Sequence, residues 1–117
     1  MVGSSYCILI ENAKDLEDYK DLLDNIIGLA HQEVTVIRDG GISCWNTDQL
    51  EGLVIPEMIE LLQHLLRGEL FLKYGKQQRL LESTYLLTDS LEMLSSTSLG
   101  ILIGNLQDKI NAQQYKE

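Results

Sequence analysis

The chain predicts an α+β fold: a small, mostly antiparallel sheet, made of an N-terminal strand plus a hairpin over residues 33–45, packed by four helices. Three observations carry that expectation. A short β-rich run opens the sequence, an Asp-Gly-Gly lies between two β-branched runs, and the other apolar residues recur at helical spacing. No internal repeat or long linker interrupts residues 1–117, which are read as one domain of ordinary size. Hydrophobic residues make up 44% and aromatic ones only 6%, so the core is expected to be mainly aliphatic.

The run "SYCILI" (5–10) reads as a strand buried on both faces or at a sheet centre. "ENAKDLEDYKDLLDNIIGLAH" follows in helical rhythm, with Asn12 as N-cap and His31 at the helix end. Leu16, Tyr19, Leu22, Leu23, Ile26, Ile27 and Ala30 mark its apolar side, and Glu17, Asp18, Asp21 and Asp24 its polar side. "EVTVIR" and "ISCW" then flank Asp39-Gly40-Gly41, a strong short hairpin signal that leaves the register open between two turns. Past "NTDQLEG", "PEMIELLQHLLRG" predicts a helix with Pro56 in its first turn and Gly68 as its stop. "ELFLKYG" (69–75) fits either a strand or more helix. "KQQRLLESTYLLTDSLEML" predicts a helix with Leu80, Leu87 and Leu94 seven apart, and "LGILIGNLQDKINAQQ" a last one. The latter turns Leu99, Leu102, Ile103, Leu106 and Ile110 to one side.

Net charge is −9, and residues 1–62 carry all of it, with 12 acidic and 3 basic side chains. Such a field repels phosphate backbones and anionic lipid, and attracts cationic partners. Neither direct nucleic-acid nor membrane binding is therefore expected. No run approaches the ~20 apolar residues of a membrane span. The start lacks the basic region of a signal peptide, which makes a cytoplasmic protein the default. In that compartment Cys7 and Cys44 are expected as reduced, buried thiols, although a bridge is open should their strands be neighbours.

Reactive constellations are missing from the pattern. Cys44 sits in the acidic half, which raises a thiol pKa rather than lowering it, and His31 serves a helix end without further purpose. Glu57, Glu60 and His64 share a helix but fall short of a metal set and read as an exposed acidic face. No phosphate-binding loop or nucleophile elbow exists, so no cofactor, metal or catalytic residue is assigned and the chain is not read as an enzyme. Gly100 and Gly104 form a small-xxx-small pair suited to close helix packing within the domain or to a homodimer seam.

Charge patches remain. Glu11 to Asp24 holds six acidic and two basic residues, and Arg67 to Arg79 four basic and one acidic. The expected function is a non-catalytic, acidic protein–protein interaction domain. An inhibitor or immunity-type protein that neutralises a basic partner, such as a nuclease toxin, is the sharpest form of it. Expected contacts are Glu17, Asp18, Asp21 and Asp24, with Asp39, Trp45 and Asp48 on the hairpin and its exit loop. For Trp45 a second reading, as a plug of the sheet–helix core, is slightly favoured over the interface anchor. The alternative is a homo-oligomeric structural or regulatory subunit, a homodimer in which the "LGILIG" helix and the leucine seam over 80–94 extend beyond one core.

Overall fold

Apolar side chains at spacings of three and four do not stop where the β-branched residues begin. Tyr19, Leu23, Ile26, Ala30 and Val34 form one buried stripe along helix α1, Ala13–Arg38. The computed structural model describes residues 6–72, 81–89 and 93–115. Within them the order is β1 (Tyr6–Leu9), α1, α2 (Thr47–Gln49), a π-turn (Leu50–Val54), α3 (Ile55–Leu65), β2 (Glu69–Leu72), α4 (Glu82–Asp89) and α5 (Ser98–Tyr115). The protein is thus mostly helical, with a two-stranded antiparallel sheet.

The hairpin over 33–45 does not form. "EVTVIR" is the last part of α1, and "ISCW" is irregular chain. Helical β-branched residues cost ~0.5 kcal/mol each, whereas burying a side chain such as Val34 contributes ~1.5–3 kcal/mol, so continued packing wins. Thr35 fits because its hydroxyl donates to the carbonyl of His31 at 3.1 Å. Asp39-Gly40-Gly41 ends the helix. Gly40 N–H donates to Ile37 O at 3.1 Å and Gly41 N–H to Val36 O at 2.8 Å, the paired bonds of a Schellman cap. Gly40 takes φ +86°, which an L side chain resists. Asn12 caps the other end, accepting from Lys14 N–H at 2.8 Å and Asp15 N–H at 3.2 Å.

The sheet pairs β1 with β2 instead, in the register Ile8↔Leu70 and Leu9↔Glu69. This settles residues 69–72 as strand; residues 73–75 lie outside the described ones. Among the described residues one face is covered. Ile8 and Leu70 are buried while Cys7 and Leu9 are exposed, so β1 is not the doubly buried strand its composition suggests.

Asn46 opens the next helical segment with a reciprocal cap, accepting from Gln49 N–H at 2.8 Å while its own N–H donates to Gln49 Oε1 at 3.0 Å. The π-turn precedes Pro56, which lacks an N–H and whose ring collides with the carbonyl four residues back in a regular helix. Widening the turn, with Ile55 N–H bonded to Leu50 O, lets the chain pass that point without stopping. Gly68, at φ +80°, ends α3 and leads directly into β2.

The core lies between α1, α3 and α5. Met58, Leu61 and Leu65 from α3 and Leu99, Ile103, Leu106 and Ile110 from α5 meet the α1 stripe. Tyr19 ties two of these helices together: its hydroxyl donates to the Lys109 carbonyl at 3.1 Å, and Lys109 Nζ lies 4.8 Å from its ring centre. The helix expected over 76–94 is described as α4 alone; Leu80 and Leu91 lie outside the described residues, and Leu94 falls in a turn. No helix among the described residues is long and apolar enough to cross a membrane.

Candidate functional site

Along α1, Glu17, Asp21 and Asp24 recur at helical spacing opposite the buried stripe. All three are exposed, and none makes an ion pair among the described residues. At 1.5 Å rise per residue their Cα positions step ~6 Å and then ~4.5 Å along the axis. Asp18 stands at the edge of this strip and accepts from Lys14 Nζ at 2.8 Å. That hydrogen bond holds the Asp18 carboxyl below its ordinary range, and Lys109 adds in the same direction.

The other expected contacts lie elsewhere. Asp39 is the C-cap residue of α1, roughly 22 Å along the axis from Asp24. Asp48 lies in the first turn of α2, exposed. Beside them the Arg38 guanidinium grips both carboxylate oxygens of Glu51, at 2.9 and 2.7 Å, which removes that pair from the negative field. Trp45 leaves the contact set: it is 3% exposed, and its indole N–H donates to Thr97 Oγ1 at 3.1 Å. It is the core plug. The loop before it is braced by Ser43, whose hydroxyl donates to Glu33 Oε1 at 2.6 Å and accepts from Trp45 N–H at 3.1 Å.

The candidate reactive residues separate as well. Cys7 and Cys44 are free and exposed, not buried, and do not bridge. His31 is exposed two turns before the end of α1, not at its terminus. His64 Nδ1 sits 3.3 Å from Glu69 Oε2 and joins α3 to the sheet. Among the described residues no three His, Cys, Asp or Glu side chains group as metal ligands.

One cluster escaped the sequence. Glu57, expected on an exposed acidic face, is half-buried and serves the N-terminus of α4. Its carboxylate accepts from Glu82 N–H at 2.8 Å, Ser83 N–H at 2.9 Å and Ser83 Oγ at 2.6 Å. Gln107, buried on α5, completes the cap by accepting from Leu81 N–H at 2.8 Å and Thr84 Oγ1 at 2.9 Å. Burial raises the Glu57 carboxyl above its ordinary range, and the Ser83 bonds oppose the rise. A cleft of about 160 Å³ lies alongside, lined by Gly52, Leu53, Pro56, Glu57, Glu60 and Glu82. Among the described residues its charged lining groups are three carboxylates. A second cleft, of about 110 Å³, lies by Glu33, Trp45 and Thr97. Both fall below the ~300–1,000 Å³ typical of small-molecule sites. The one local signal for Glu57 was its place just after Pro56, at the margin of the apolar stripe of α3.

The acidic strip of α1 is therefore the surface that retains most of the expected contacts. No protein family, curated protein or solved structure matches the chain.

Proposed function

We propose that the chain is a non-catalytic, cytoplasmic protein-binding domain that receives a basic protein on the carboxylates of α1. Within that class it acts as an inhibitor or immunity-type protein, covering the cationic active-site groove of an enzyme such as a nuclease toxin. The observation that carries the proposal is the exposed strip Glu17, Asp21 and Asp24, none of which forms an ion pair among the described residues, with Lys14 the cation whose field reaches Glu17 and Asp21. Fixed on a long helix, the three carboxylates keep their spacing before a partner arrives, so ordering them on binding costs little. Asp18 contributes at the edge, and Asp39 at the far end of α1 and Asp48 in the first turn of α2 supply further acidic contacts.

Charge of this kind acts mainly on encounter. The Glu17→Lys, Asp21→Lys, Asp24→Lys triple variant should slow association with a partner captured from the native cell about tenfold or more at low salt. The difference should shrink at high salt as screening takes over. Equal association rates for the two proteins at low salt remove the proposal.

The homo-oligomeric alternative draws on α5, where a Cβ on Gly104 would meet nothing within 4 Å and Ile101 is 52% exposed. A dimer in sedimentation equilibrium, with no basic protein captured, favours it.

A further inference from the structure

We propose that the charge on Glu57 sets how firmly α4 is docked on α3 and α5, which makes α4 a pH-sensitive latch. An eight-residue helix has little stability of its own. The first donors of α4 bond to side chains of other helices: Leu81 N–H to Gln107, and Glu82 and Ser83 N–H to Glu57. Helicity and docking of α4 are thereby one event, and Glu57 sits at its hinge. Undocking uncovers Leu81 and Leu87, which are 3% and 9% exposed when docked.

The groups around Glu57 set the sign. Glu60 of α3 and Glu82 of α4 line the same cleft, α5 supplies the neutral Gln107, and the π-turn supplies Gly52 and Leu53. His64, two turns further along α3, is engaged with Glu69. Glu57 forms no ion pair with a cation among the described residues. Burial, and after it the Glu82 carboxylate, disfavour the charged form here, while the Ser83 hydroxyl and the Ser83 and Glu82 N–H donors favour it. Burial is the larger influence, so the docked carboxyl holds its proton to higher pH than a glutamic acid in water, whose value is 4.5. By linkage the docked state then gains from protonation. Docking is tightest below pH 4.5 and loosens as pH rises through the docked value.

Amide exchange at Glu82 and Ser83, followed in the full chain from about pH 4 to 8 and corrected for intrinsic exchange, reads the latch directly. The wild-type opening constant should climb with pH, by about tenfold for each unit that the docked carboxyl lies above its solution value. Glu57→Gln should flatten that dependence, while the Leu23 and Ile26 amides of α1 stay protected in both proteins. Ser83→Ala, which removes one donor to the carboxylate, should move the wild-type midpoint upward. The proposal is overturned if Glu57→Gln follows the wild-type pH profile, or if α4 opens only together with α1. Should Glu57→Gln not fold, carbon-13 titration of the Glu57 carboxyl in the wild-type chain decides: a midpoint at or below 4.5 overturns the latch.

Discussion

The two glycines of "GILIG" look interchangeable in sequence and have opposite surroundings. A Cβ on Gly100 runs into the Leu94 carbonyl, with Ser95 Cα 3.0 Å away, while one on Gly104 meets no atom within 4 Å. Gly100→Ala should therefore lower stability by ~1–3 kcal/mol through overpacking, as read by urea denaturation. Gly104→Ala should raise it by up to ~1 kcal/mol, because alanine is the better helix former. Equal effects at both sites would mean that the turn before α5 does not approach as closely as described. A loss of self-association in Gly104→Ala would instead reveal a seam between copies. Trp45 shows the same dependence on surroundings. Its aromatic, amphipathic character suits an interface anchor or a core residue, and the hydrogen bond to Thr97 across the fold decides for the core.

At the scale of elements, Val34 and Val36 separate helix from strand. In a hairpin, residues two apart share a face. On α1 they do not: Val34 is 3% exposed and Val36 is 38% exposed. Val34→Ala should cost about 2 kcal/mol, and Val36→Ala should stay within ~0.5 kcal/mol of wild type, in chemical denaturation. Similar losses at the two sites would contradict a helix through residue 38. The Asp-Gly-Gly signal was sound in its chemistry and open in its meaning. A tight hairpin and a helix C-cap both need positive φ at a glycine, and Gly40 supplies it for the cap. By contrast Asn12 and Gly68, as start and stop of their helices, were legible because capping is satisfied within a few residues of the chain.

Over the whole molecule Glu17, Asp21 and Asp24 stand exposed on the side of α1 away from its buried stripe, and the net charge is −9. The triple reversal to lysine at Glu17, Asp21 and Asp24 should leave the melting temperature unchanged or raise it, since it relieves self-repulsion and disturbs no buried contact. Thermal melts at low and high salt check this, with the smaller salt dependence in the variant. A collapse of the melting temperature would show that the strip serves the fold rather than a partner. Native-state thiol labelling probes the same surface from the other side: both Cys7 and Cys44 should react without denaturant, because both are exposed and unbridged.

The helical periodicity of the apolar residues, the caps at Asn12 and Gly68, and the polar side of the first helix followed from the sequence alone, because each is decided within a turn or two of chain. The acidic strip is of that kind, since residues on one helix share a face wherever the helix goes. Long-range partners needed the tertiary structure. Pairing of β1 with β2, the burial of Trp45 against Thr97, and the capture of the α4 terminus by Glu57 and Gln107 join residues far apart in the chain. Those contacts depend on which surfaces meet when the helices pack, and no local propensity encodes that choice.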